Sequence, residues 1–93
     1  LPLKWMALES IETGKYTCQS DVWSFGVLLW EIATLGKDPC YDGKFLLGVH
    51  EILKILRQGT RMERPPGCPE DLYRLMRSCW HEDPDTRPTP EEI

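Results

Sequence analysis

The apolar positions of the chain gather in three clusters, and the densest follows Ser20 and Asp21. There Val22, Trp23, Phe25, Val27, Leu28, Leu29, Trp30 and Ile32 leave almost no polar face. An amphipathic surface helix keeps one face polar, so the pattern predicts a buried helix over residues 21–34. Ser20 suits its cap, Asp21 its electropositive first turn, and Gly36 its stop. Gly26 falls in its middle, where glycine costs roughly 1 kcal/mol against alanine. The pattern leaves open what the helix is buried against and what Asp21 binds at its tip.

The other clusters are narrower stripes. Val49, Ile52, Leu53 and Leu56 recur at helical spacing, with Gly59 as the C-terminal cap. Leu72, Leu75, Met76, Cys79 and Trp80 form a stripe behind Pro69, Glu70 and Asp71, which open a helix with the right sign of charge. Residues 7–12 predict a short helix ended by Gly14. Residues 1–5 read as extended, because Pro2 disfavours helix just before it. Residues 36–43 and 64–69 read as loops from their Gly, Pro and Asp content, and Asp83-Pro84 and Arg87-Pro88 as turns. No stretch alternates as a strand does, and no internal repeat or low-complexity tract is present. The expected architecture is mainly α, with long ordered loops.

Composition narrows the partners more than the chemistry. The 93 residues make one domain at most, and a chain of this length buries only about 60–65% of its unfolded surface. With 41% hydrophobic and 28% charged residues it is globular rather than disordered. A net charge of −4 with no basic run argues against nucleic acid or anionic lipid as the main partner. No apolar run is long enough to span a bilayer and no signal peptide is visible. Cys18, Cys40, Cys68 and Cys79 have no C-x-x-C spacing, and His50 and His81 stand far apart. That favours free thiols in a reducing compartment over a zinc site.

Most candidate chemistry has a structural explanation. Gly36, Gly43 and Gly48 lack the spacing of a phosphate-binding loop, and no Ser or Cys has a nucleophile motif around it. Glu70 with Asp71 and Glu91 with Glu92 each sit in a helix first turn, where capping outweighs catalysis. Glu82, Asp83 and Asp85 read as a solvated turn. Trp23, Trp30 and Trp80 read as core before stacking platforms. Asp21 and Arg87 resist this account. A carboxylate at the tip of an apolar helix needs donors if it is desolvated, and an arginine in a Pro-bounded turn can hold a carboxylate in its fork. A surface role stays open for both.

Together these residues resemble the C-terminal lobe of a protein tyrosine kinase. LPLKWMALES (residues 1–10) resembles the end of the activation segment with its Ala-Pro-Glu motif. SDVWSFGVLLWEI (20–32) resembles the lobe's central helix, and CWHEDPDTRP (79–88) its Cys-Trp…Arg-Pro ending. Lys4-Trp5 before Met6 points to tyrosine kinases. Trp30 and KWMALES resemble receptor kinases more than cytoplasmic ones. The likeness covers residues 1–93 as a partial kinase domain; the whole domain would be α+β.

The resemblance implies roles for particular residues. Pro2, Leu3, Lys4 and Trp5 would form the platform for the substrate tyrosine and the residue after it. Asp21 would accept hydrogen bonds from the catalytic-loop backbone, and Glu9 would pair with Arg87. Trp23 and Trp80 would be structural. No catalytic, cofactor-binding or metal-binding residue is expected among the 93: the Gly-rich loop, its lysine, His-Arg-Asp and Asp-Phe-Gly are not in this sequence. The parent would use ATP and Mg to phosphorylate protein tyrosine. It would dimerise as a single-span receptor on the cytoplasmic side of the membrane, reaching the membrane through other regions; a non-receptor parent would be cytoplasmic. A pseudokinase, using the lobe as a docking module, is the alternative.

Two departures from the family pattern stand out. Leu8 replaces the motif's proline. The loop before the Val49 stripe is about four residues longer than usual, by comparison with the family pattern. Phe45, Leu46 and Leu47 there either extend the helix, form an exposed apolar patch, or reflect a splicing or sequencing oddity. The opening Leu1-Pro2 and the capping signal Thr89-Pro90 with Glu92 at the close are expected of a piece of a larger protein, and they disfavour a free-standing helical module.

Overall fold

The computed structural model describes residues 2–44 and 46–93. The described residues form four α-helices, α1 (Leu8–Thr13), α2 (Cys18–Ala33), α3 (Val49–Arg57) and α4 (Glu70–Cys79), with 3-10 turns at Leu3–Trp5, Pro84–Thr86 and Pro90–Glu92. No strand occurs among them; one isolated bridge joins Tyr41 and Lys44.

Two expectations at the chain start change. Residues 3–5 are a 3-10 turn and not extended, with Trp5 N–H donating to Pro2 O at 3.1 Å and Met6 N–H to Leu3 O at 3.2 Å. Proline restricts the residue before it, and its own fixed φ suits the start of a turn. The long helix begins at Cys18, capped by Thr17 and not by Ser20. Ser20 lies at the third helical position and completes a capping box: its N–H donates to Thr17 Oγ1 at 3.2 Å, and its Oγ accepts from Thr17 N–H at 2.6 Å. Two cap formers three residues apart compete, and Thr17 wins because Ser20 serves as its reciprocal partner.

The core sits where α4 crosses α2. Trp23 and Val27 of α2 meet Met76, Cys79 and Trp80, and Ile52, Leu56 and Met62 join the same buried cluster. Gly26 explains the closeness. A Cβ there would lie 2.7 Å from Cys79 Cβ and 2.8 Å from Trp80 Nε1, so only glycine lets the helices approach this far. α2 is not buried all round, however. Val22, Trp23, Val27 and Trp30 face the core, while Phe25, Leu28 and Ile32 form an exposed stripe on the opposite side. An all-apolar pattern records two covered faces, and the described residues cover one.

α3 and α4 follow their stripes, and Gly59 takes positive φ just beyond α3. Leu8, in the place of the motif's proline, opens α1 and is buried. In the long loop Leu46 is exposed and Leu47 packs partly against the core, so neither extends α3. Phe45 lies outside the described residues. The chain closes on a Thr89–Glu92 capping box over a single 3-10 turn. No helix among the described residues is long and apolar enough to cross a membrane.

Candidate functional site

The 3-10 turn at Leu3–Trp5 is held from four directions. Ser24 Oγ of α2 donates to Trp5 O at 2.7 Å. Two helical turns further along the same helix, Glu31 accepts the Trp5 indole N–H. Tyr41 Oη donates to Lys4 O at 2.9 Å, and Lys4 Nζ meets Asp38 Oδ2 at 2.7 Å. Two carbonyls and two side chains of the turn are therefore fixed by residues far from it in sequence.

Tyr41 is itself rigidly placed. It exchanges both backbone hydrogen bonds with Lys44 at 3.0 Å, across Asp42 and Gly43 at φ 54° and 72°. That is the conformation in which Asp-Gly closes a tight hairpin turn. The phenol is buried, which pushes its pKa up and keeps it protonated as a donor. Pro2 stays exposed and Leu3 half-buried, leaving a small apolar shelf on a stiff base. The shelf carries no nucleophile and no general base.

A second constellation ties the far end of the chain back to α1. Arg87 is buried and aims both Nη atoms at Glu9, Nη1 to Oε2 and Nη2 to Oε1, each at 2.8 Å. Its Nε donates to His81 O at 2.8 Å and its Nη1 also to Gln19 O at 3.0 Å. For Glu9, burial raises the carboxyl pKa, but the Arg87 hydrogen bond, a backbone hydrogen bond and the Arg87 charge together outweigh it and hold the group below its ordinary value. The guanidinium lies 5.0 Å from the centroid of the Trp23 ring.

Arg61 shares that ring, also at 5.0 Å. It donates to Trp80 O at 2.7 Å, Leu56 O at 2.9 Å and Thr60 O at 3.0 Å, joining the ends of α3 and α4 over Trp23. Burial lowers its pKa, and repulsion from Arg77 and Arg87 adds to this. Sequence reasoning missed Arg61, although a basic residue just past a helix C-terminus is a recognisable partner for its last carbonyls. It missed Ser24, Glu31, Asp38 and Tyr41 too, and no local signal marks them.

The remaining candidates are placed as follows. Pro2, Leu3, Lys4 and Trp5 come together as the shelf, and Trp23 and Trp80 lie in the core. Asp21 is exposed at the tip of α2, and its carboxylate accepts no hydrogen bond among the described residues. It lines an open, mostly apolar hollow of about 310 Å³ with Cys18, Val22, Phe25, Pro90 and Ile93. Among the described residues no three His, Cys, Asp or Glu side chains are grouped to hold a metal ion. A family model described as protein tyrosine and serine/threonine kinase matches residues 1–93.

Proposed function

Since the chain belongs to the protein tyrosine and serine/threonine kinase family, we propose that it is the substrate-bearing part of the helical lobe of a receptor-type tyrosine kinase. Family membership implies ATP with magnesium for the whole enzyme, and protein substrates. The residues present do not fit either the nucleotide or its metal: they include no phosphate-cradling glycine loop and, as described, no carboxylate cluster. No step of phosphoryl transfer is assigned to them. Their part is to bind and orient the peptide whose tyrosine hydroxyl receives the γ-phosphoryl group.

The single observation that carries this reading is the shelf at residues 2–5, fixed through both its carbonyls and its side chains. A peptide must be held to within about half an ångström for an in-line transfer, and a surface on rigid elements does that better than a loose loop. The Lys4-Trp5 pair supports tyrosine as the acceptor, and Trp30 with KWMALES supports the receptor type. In this reading Asp21 takes its donors from the backbone of a catalytic loop elsewhere in the enzyme. The apolar face of α2 then packs under that loop. The enzyme works on the cytoplasmic side of a membrane and pairs with a second copy.

The test is acceptor choice. The complete kinase domain, purified and given MgATP with matched peptides that differ only in carrying Tyr, Ser or Thr at one central position, is expected to label tyrosine. Labelling of Ser or Thr alone would overturn the tyrosine assignment.

A further inference from the structure

The shelf and the loop of residues 34–44 are joined by more than contact. Lys4 is gripped twice from that loop, at its carbonyl by Tyr41 and at its ammonium by Asp38. Among the described residues, the hydrogen bonds of α2 to the shelf fall on Trp5, from Ser24 and Glu31. The helix thus fixes one end of the shelf and the loop fixes the middle.

We propose that Tyr41 is a positioning residue for the protein substrate: its hydroxyl, by holding Lys4 O, sets the height and tilt of residues 2–5 under the bound peptide. The proposal rests on reading those residues as the platform. Tyr41 is 2% exposed, so its hydroxyl serves the interior and not solvent. It reaches across 37 positions in sequence to a backbone atom of the shelf. Its backbone exchanges paired 3.0 Å bonds with Lys44 and its ring is buried in the core cluster, so contacts other than the shelf hold both. A donor on a rigid mount holding a carbonyl behind a binding surface determines where that surface lies. The loop after α2 becomes a determinant of peptide affinity without touching the peptide.

Tyr41→Phe in the complete kinase domain removes the hydroxyl and keeps the ring in its place. Loss of one such hydrogen bond is expected to raise the peptide KM roughly three- to tenfold. The KM for ATP should stay within about twofold, whereas kcat at saturating peptide should fall along with peptide affinity, since a displaced shelf also misaligns the hydroxyl for in-line transfer. A general structural defect would instead move all three constants. Amide exchange, measured without substrate, reads the grip itself: the Trp5 and Met6 amides should exchange faster in Tyr41→Phe while those of α4 do not change. Unchanged exchange in the shelf overturns the proposal. An active wild-type domain whose peptide KM is unaffected by Tyr41→Phe overturns it too, and leaves the platform reading standing. A wild-type domain that phosphorylates no peptide defeats the platform reading, and this proposal with it.

Discussion

Arg87 and Glu9 lie 78 positions apart and meet in a two-pronged ion pair, both distances 2.8 Å. The burial is lopsided: the Arg87 side chain is wholly enclosed, whereas that of Glu9 keeps 28% of its surface. Water can therefore rescue the carboxylate if the arginine is lost, but not the guanidinium if the glutamate is lost. Glu9→Ala leaves a buried cation with only carbonyls around it. Arg87→Ala loses those carbonyl bonds and the Trp23 contact as well. Each change is expected to destabilise the lobe by about 3–5 kcal/mol. Arg87→Lys should not restore it, since an ammonium lacks the fork. Denaturant unfolding of the complete kinase domain in a double-mutant cycle checks this; single losses that add within about 0.5 kcal/mol would show that the pair is not coupled.

The same pair gives a pH dependence. The folded-state pKa of Glu9 lies below its ordinary 4.5, so its contribution is fully present above that value. It is lost as the pH falls through the lowered folded pKa, where folded and unfolded states come to bind the same proton. Glu9→Gln should flatten this part of the acid limb of stability. An acid limb of the same slope in wild type and Glu9→Gln would assign the loss to other carboxylates.

Gly26 yields a prediction opposite to helix propensity. Alanine at an interior helical position gains about 1 kcal/mol over glycine. Here its methyl would sit 2.7 Å from Cys79 Cβ and 2.8 Å from the Trp80 indole nitrogen. Overpacking of this kind typically costs about 1–3 kcal/mol. Gly26→Ala is expected to lower the unfolding midpoint of the kinase domain; a raised midpoint would mean that α2 and α4 are not so closely apposed.

The outer stripe of α2 predicts how the 93 residues behave alone. Phe25, Leu28 and Ile32 are exposed together, at 36%, 46% and 64%. A contiguous apolar face of this sort favours association and binds apolar dyes. The isolated chain should bind such a dye and scatter light at micromolar concentration, and Leu28→Lys with Ile32→Lys should reduce both effects. A monodisperse monomer that binds no dye would contradict the exposure.

What the sequence made legible was local. The stripes Ile52-Leu56 and Leu72-Met76-Cys79 mark α3 and α4 because period and burial coincide in them, whereas Val49, at the start of α3, is exposed. Asp21 and Arg87 stood out because their neighbours offered no ordinary setting for a charge. The face of α2 that stays uncovered was not legible, since an apolar pattern does not say which partner is present. Gly26 looked like a defect until α4 was seen against it. The grip on the shelf was hidden for the same reason: Tyr41 and Glu31 reach it across 37 and 26 positions, and neither residue looks unusual among its neighbours.

The central claim, that residues 2–5 bear the substrate, is tested most directly by photo-crosslinking. A tyrosine peptide with a photoreactive residue just after the tyrosine is bound to the complete kinase domain, irradiated, and the attachment site mapped by mass spectrometry. Attachment at Pro2, Leu3, Lys4 or Trp5, competed away by the unmodified tyrosine peptide but not by its serine counterpart, is the predicted result. Competable attachment elsewhere, with residues 2–5 unlabelled, would contradict the account.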